Sequence, residues 1–135
     1  MNSDYTLAIH SLVLLALQPD RMSTSEAIAE SAGVHPVRIR KVLSLLKKNG
    51  VIKSKEGNGG GFIFARELSE VNLWDLYKIT SEGSLQPKCP DSNEKCIVGA
   101  NMQRVMFSIF FGAEKHMGEY LQTYSIKEVI DLINE

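Results

Sequence analysis

The stretch KSKEGNGGGFIFAR, residues 53–66, places four glycines in the five positions 57–61. Glycine loses more conformational entropy on ordering than any other residue, so such a cluster answers a backbone requirement. Two requirements compete: a cradle for a nucleotide phosphate and the tip of a hairpin. A phosphate loop needs Gly-x4-Gly-Lys-Ser/Thr between strand and helix, and no Lys-Ser/Thr follows these glycines. A dinucleotide fingerprint needs a helix after its glycines, whereas Phe62-Ile63-Phe64 is an aromatic, β-type run. The better reading is a pair of short strands over 51–55 and 62–66 joined by a left-handed glycine tip. The bare backbone of that tip can approach a neighbour closely.

What precedes the hairpin decides its meaning. Ser23-Thr24-Ser25-Glu26 is an N-cap cluster before a short helix with Ile28 and Ala29 on its apolar side, stopped at Ala32-Gly33. Pro36 suits the first position of a second helix. That helix runs to about residue 48 and places Ile39, Val42, Leu43 and Leu46 on one stripe. Arg38, Lys41, Ser44 and Lys48 lie off the stripe, with Arg40 and Lys47 on its flank. Helix, glycine turn and basic amphipathic helix form a helix-turn-helix pattern, and two strands directly after it form a wing. A first helix over 4–17, ended by Pro19-Asp20, is apolar nearly all round and predicts burial on more than one side.

Whole-chain properties agree. A length of 135 residues suits one domain, and no apolar run reaches the roughly 20 residues that span a bilayer. The N-terminal stretch lacks a basic region and carries Asp4 early, unlike a secretion signal, which predicts a cytoplasmic protein. The net charge of −1 hides an asymmetry: residues 21–66 hold nine basic residues against three acids. Residues 67–135 hold six against eleven, and residues 1–20 add two acids. A basic middle between acidic ends points to a polyanion-binding surface.

Beyond the wing, Val71, Leu73, Trp74, Leu76, Tyr77 and Ile79 predict a helix over 70–81, ended by Gly83. A loop follows with Cys89 and Cys96, with six residues between them, too few cysteines for a disulfide scaffold. A long helix over about 98–120 carries Met102, Val105, Met106, Ile109, Phe110, Ala113 and Met117 in one broad stripe, widened by Phe107 and Phe111. One small domain cannot easily cover that stripe, so it is read as the dimerisation face of an isologous pair. Ser125 caps a last helix over 126–134. The expected fold class is mainly α with a small two-stranded β-wing. Residues 1–82 form the winged-helix DNA-binding domain, 83–97 the cysteine-bearing loop, and 98–135 the dimerisation and C-terminal helices.

This order of parts resembles the winged-helix regulators of the IscR, NsrR and CymR type, the Rrf-two family, over essentially the full length. The most specific stretch runs from Leu45-Leu46-Lys47-Lys48-Asn49-Gly50-Val51-Ile52 through Gly59-Gly60-Gly61-Phe62 to Ala65-Arg66. The resemblance implies a homodimeric transcription regulator, usually a repressor, and not an enzyme. Its wing departs from the family habit of a basic residue before the first glycine, because Glu56 stands there.

Docked as a helix-turn-helix, the chain should present His35, Pro36, Val37, Arg38 and Lys41 to the major groove, with Arg40 on a base or a phosphate. Thr24 and Ser25 are phosphate candidates at a helix start. Lys48, Lys53 and Lys55 are further phosphate candidates, and Asn58, Gly59 and Gly60 would enter a minor groove.

Relatives of the IscR and NsrR type hold an iron–sulfur cluster through three loop cysteines. Cys96 matches the last of these and Cys89 the middle one, while Glu82, Gly83 and Ser84 occupy the region of the first. Gly99 falls where a histidine ligand would stand, and His10 is read as a core residue. Two thiolates leave a cluster short of ligands, so no cofactor and no metal is expected. The cysteines stay open between a thiol switch, whose thiolates Lys88 and Lys95 would favour, small hydrophobes without a sensing role, and, as the least favoured reading, an iron–sulfur sensor with incomplete cysteine ligation. A signal delivered by a protein partner or a small molecule is the other reading. His116 is expected at a surface or interface.

Overall fold

The computed structural model describes residues 3–90 and 93–135 of the chain, so Asp91 and Ser92 of the expected loop lie outside the described residues. Helix α1 (Ser3–Leu17) is apolar on several sides, and Leu7, Ala8, Leu12 and Leu15 are accordingly buried. Helix α2 (Ser25–Ala32) starts where the Thr24 hydroxyl oxygen accepts the Ala27 N–H and ends at Gly33, left-handed at φ 69°. Helix α3 (Pro36–Lys48) follows with proline at its start. Its predicted stripe of Ile39, Val42, Leu43 and Leu46 is fully buried.

The wing consists of β2 (Ile52–Lys55) and β3 (Gly61–Phe64), antiparallel with Ile52 opposite Phe64 and Lys55 opposite Gly61. The sheet has a third, unexpected strand, of which Ser23 belongs to the predicted capping cluster. Strand β1 (Met22–Ser23) pairs with β3, Met22 opposite Ile63 and Ser23 opposite Phe62. Strand order is therefore β1-β3-β2. Gly61 makes this possible, since a Cβ there would sit 2.5 Å from the Ser23 carbonyl oxygen. At the tip, Gly57 and Gly59 take φ values of 94° and 76°, and the Gly60 N–H closes a turn on the Gly57 carbonyl at 3.0 Å. The hairpin reading of the glycine run is the observed structure.

Helix α4 (Leu73–Thr80) begins later than expected because Asn72 and Asp75 form a reciprocal capping box. Helix α5 (Ile97–Leu121) is the long helix, about 37 Å by helical rise. Helix α6 (Ile126–Ile133) opens with a second capping box, Ser125 with Glu128. It returns against α1, and its Ile126 is buried in the same core as Leu12 and Leu76. Among the described residues no helix is long and apolar enough to cross a membrane.

The C-terminal half of α5 is fastened to this core. Gly118 is the buried contact point, with Met117 and Leu121 packed beside it. The Trp74 indole lies against Gly118 and stacks on Tyr77 at 5.2 Å between centroids. The Tyr77 hydroxyl donates to Glu114 Oε2 at 2.7 Å, and the Gly83 N–H donates to the same oxygen at 3.2 Å. One carboxylate thus ties α5 to α4 and to the start of the cysteine loop.

Candidate nucleic-acid interface

Burial of the α3 stripe turns the opposite face of that helix outward. At about 100° per residue, Val37, Lys41, Ser44 and Lys48 fall a half-turn from the buried stripe, and all four are exposed. Val37 is 60% exposed, which leaves its methyl groups open to an apolar contact such as a thymine methyl. Ser44 was not among the residues expected to touch DNA, yet it is central on this face. Its spacing of three from Lys41 and four from Lys48 was the available signal.

His35 caps α3: its Nδ1 accepts the Val37 N–H at 3.2 Å, which leaves Nε2 as the outward nitrogen. On and beside this face, acids from other helices meet the cations. Arg38 Nε lies 4.0 Å from Asp4 Oδ1, and Lys41 Nζ lies 3.8 Å from Asp4 Oδ2. Arg40 Nη2 lies 3.4 Å from Glu26 Oε1. The Glu26 carboxyl is held below the usual range by its own backbone N–H, then by the Ser25 hydroxyl and Arg40.

The two expected phosphate contacts at the start of α2 separate. Thr24 is exposed, and its hydroxyl hydrogen remains available while the oxygen caps the helix. Ser25 is only 7% exposed and its hydroxyl donates to Glu26 Oε2 at 3.2 Å. A buried hydroxyl already bonded to a carboxylate does not offer itself to a phosphate, so the expected Ser25 contact falls to its backbone N–H at the start of α2. In the wing, Lys53 and Lys55 are exposed and alternate along β2 onto one face. Asn58 and Gly59 are exposed at the tip beside Glu56, with Gly60 half-buried. A Cβ on Gly60 would collide with the Lys55 and Gly57 carbonyl oxygens.

The long-helix stripe divides into two faces. Met102, Val105 and Ile109 are 42%, 40% and 57% exposed, and Ala113 is exposed beside them. Met106 and Phe110 are half-buried, while Met117 packs into the chain's own core rather than standing on the outward face. Phe107 and Phe111 stack at 6.3 Å on the surface.

Cys89 and Cys96 are free thiols, half-buried and exposed respectively. Cys96 is the N-cap residue of α5, and the backbone N–H groups of Gly99 and then Val98 hold its thiol below the ordinary value. The helix amides, not the neighbouring lysines, are the cause. His10 is half-buried rather than sealed in the core, with Nε2 2.8 Å from Ser31 Oγ. His116 is a surface residue paired with Glu119 at 3.6 Å. Among the described residues no group of three His, Cys, Asp or Glu side chains is placed to hold a metal ion.

The chain matches the family described as "Rrf2: Iron-dependent Transcriptional regulator" over residues 1–132. YwnA of Bacillus subtilis (strain 168) is 30% identical over 132 residues, covering 97% of each chain. A crystal structure of a Lactobacillus plantarum protein superposes with a TM-score of 0.86 at 26% identity, covering 100% of this chain and 92% of that one. The T. potens IscR structure superposes at 0.71 with 21% identity, over 97% of this chain and 85% of its own.

Proposed function

The chain belongs to the Rrf2 family of DNA-binding transcriptional regulators, and from that premise we propose that it acts as a homodimeric repressor reading two operator half-sites. The observation that carries the dimer is the outward face of α5. Val98, Met102, Val105 and Ile109 follow one another at spacings of four, three and four and are all exposed, the pattern of a helix–helix seam. A second copy of the same helix covers such a face symmetrically and sets the distance between two recognition helices.

Sedimentation equilibrium of the parent and of Ile109→Glu tests this. The parent should sediment as a dimer and the variant as a folded monomer with weak operator binding. A monomeric parent would overturn the proposal. The repressor direction rests on the family resemblance. In vitro transcription with a pool-selected operator over a promoter decides it, by loss or gain of transcript.

The donor set does not fit an iron–sulfur cluster. The sequence holds two cysteines, the region of a third ligand is Glu82-Gly83-Ser84, and His10 Nε2 is already engaged by Ser31. We therefore read the cysteines as a thiol switch, supported by the exposed, amide-stabilised Cys96. With diamide as oxidant, the Cys96 thiolate adds to the N=N bond and the Cys89 thiolate then displaces the reduced hydrazine. Two thiols lose two electrons and two protons to the diazene and form one disulfide. If Cys89→Ser and Cys96→Ser proteins lose DNA binding with diamide as the parent does, the thiol reading fails.

A further inference from the structure

The ion pairs around α3 are arranged in a way that the count of charges along the chain does not suggest. All three cations of its first two turns face a carboxylate brought by another helix: Arg38 and Lys41 face Asp4 of α1, and Arg40 faces Glu26 of α2. Asp4 is the more enclosed, its side chain 14% exposed against 46% for Arg38 and 72% for Lys41. It also lies in the first turn of α1, where the helix dipole favours a negative charge.

We propose that Asp4, with Glu26 in a lesser role, is a specificity-determining residue that holds the recognition cations back from non-specific phosphate binding. This rests on the reading of α3 as the recognition helix. On DNA of unmatched sequence the cations meet chiefly phosphates, and an adjacent carboxylate opposes that approach because it is repelled by the same phosphates. A matching operator offers more. Asp4 engages Arg38 through Nε, leaving the two terminal nitrogens for an end-on bidentate contact with guanine O6 and N7. Asp4 can remain in place while that contact forms, so its repulsion is offset on the operator and not elsewhere. It acts through Arg38 and Lys41 and touches no base itself, which makes it a positioning residue.

The test uses full-length protein and two duplexes, one of mixed sequence and one enriched by the parent from a randomised pool. Asp4→Asn should bind the mixed duplex about fivefold more tightly at low salt, the order expected for removing one nearby like charge. Its dependence of log K on log salt should steepen by about 0.9 for each cation released to a phosphate. Affinity for the enriched duplex should rise less, so the ratio between the two falls. Asp4→Glu, which keeps the charge, should restore the parent ratio. Asp131→Asn, the same charge change on α6, should leave the ratio unchanged. An equal gain on both duplexes, or no change in slope, overturns the proposal, as does an Asp131→Asn protein that behaves like Asp4→Asn. If the parent enriches no sequence from the pool, the recognition-helix reading itself fails and the inference falls with it.

Discussion

Gly118→Ala poses a question of sign that the structure answers. In the middle of an exposed helix, alanine is favoured over glycine by about 0.8–1.0 kcal/mol, so α5 taken alone would gain. The added Cβ, however, would stand 2.7 Å from Trp74 Cε2 and 2.8 Å from Cδ2 and Cζ2, closer than a carbon–carbon contact permits. The ring has little freedom to retreat, because it stacks within 10° of parallel on the fully buried Tyr77. Overpacking of this kind costs about 1–3 kcal/mol. Steric cost exceeds propensity gain, leaving a net destabilisation of about 1 kcal/mol and at most about 2. Urea unfolding at one fixed protein concentration, necessary for any self-associating chain, reads the change directly. The control is a double-mutant cycle with Trp74→Leu, which removes the three contacted atoms. In that background Gly118→Ala should turn neutral or stabilising, with a coupling energy of at least about 1 kcal/mol. A stabilised Gly118→Ala protein with Trp74 intact would refute the close packing of α5 on α4.

Three further outcomes follow from single contacts. Glu56→Arg at the wing should tighten binding to mixed-sequence DNA and steepen its salt dependence by about one contact; a gel-shift titration that shows neither would place the wing away from the backbone. Cys96 should react with iodoacetamide faster below pH 8 than a thiol in a denatured chain, because the Gly99 and Val98 amides lower its pKa and more thiolate is present at a given pH. Equal alkylation rates in native and denatured protein would contradict this. Burial, with a smaller contribution from Tyr77, pushes the Tyr5 phenol up from 10.0 to about 12, while its hydroxyl donates to the Leu73 carbonyl at 2.8 Å. The folded pKa exceeds the unfolded one, so this contribution to stability is complete below about pH 10 and disappears as pH rises through about 12. Tyr5→Phe should cost about 0.5–1.5 kcal/mol at neutral pH and flatten that alkaline loss; an unchanged alkaline profile would argue against it.

The parts of the fold legible in the sequence are those governed by local rules. The α3 stripe, the left-handed Gly33 and the Ser125 cap each depend on residues within one or two helical turns. What was not legible depends on distant partners. Strand β1 is two residues long and exists because β3, about forty residues later, brings a glycine against it. The α5 stripe was visible as one broad band, and its division into an own-core face and an outward face depends on where Trp74 meets Gly118. No periodicity along α5 contains that contact.

Charge was legible as an excess and not as a surface. Counting by segment assigns Asp4 to an acidic flank outside the basic middle, and by that count α3 should be the most positive face of the molecule. Folding reverses part of this, because burying the apolar body of α1 beside α3 carries its first turn against Arg38 and Lys41. On the expected DNA side, Lys48 at the end of α3 and Lys53 and Lys55 on the wing are exposed and in no ion pair among the described residues. The division of labour that results is physical. On the docking proposed above, the unopposed lysines would supply attraction to any phosphate backbone, while the opposed residues near the start of α3 would contribute fully where base-edge hydrogen bonds are also available. A basic segment read from sequence therefore points to a polyanion, and on the proposal above it is the acids folded onto that segment that set how selectively it binds.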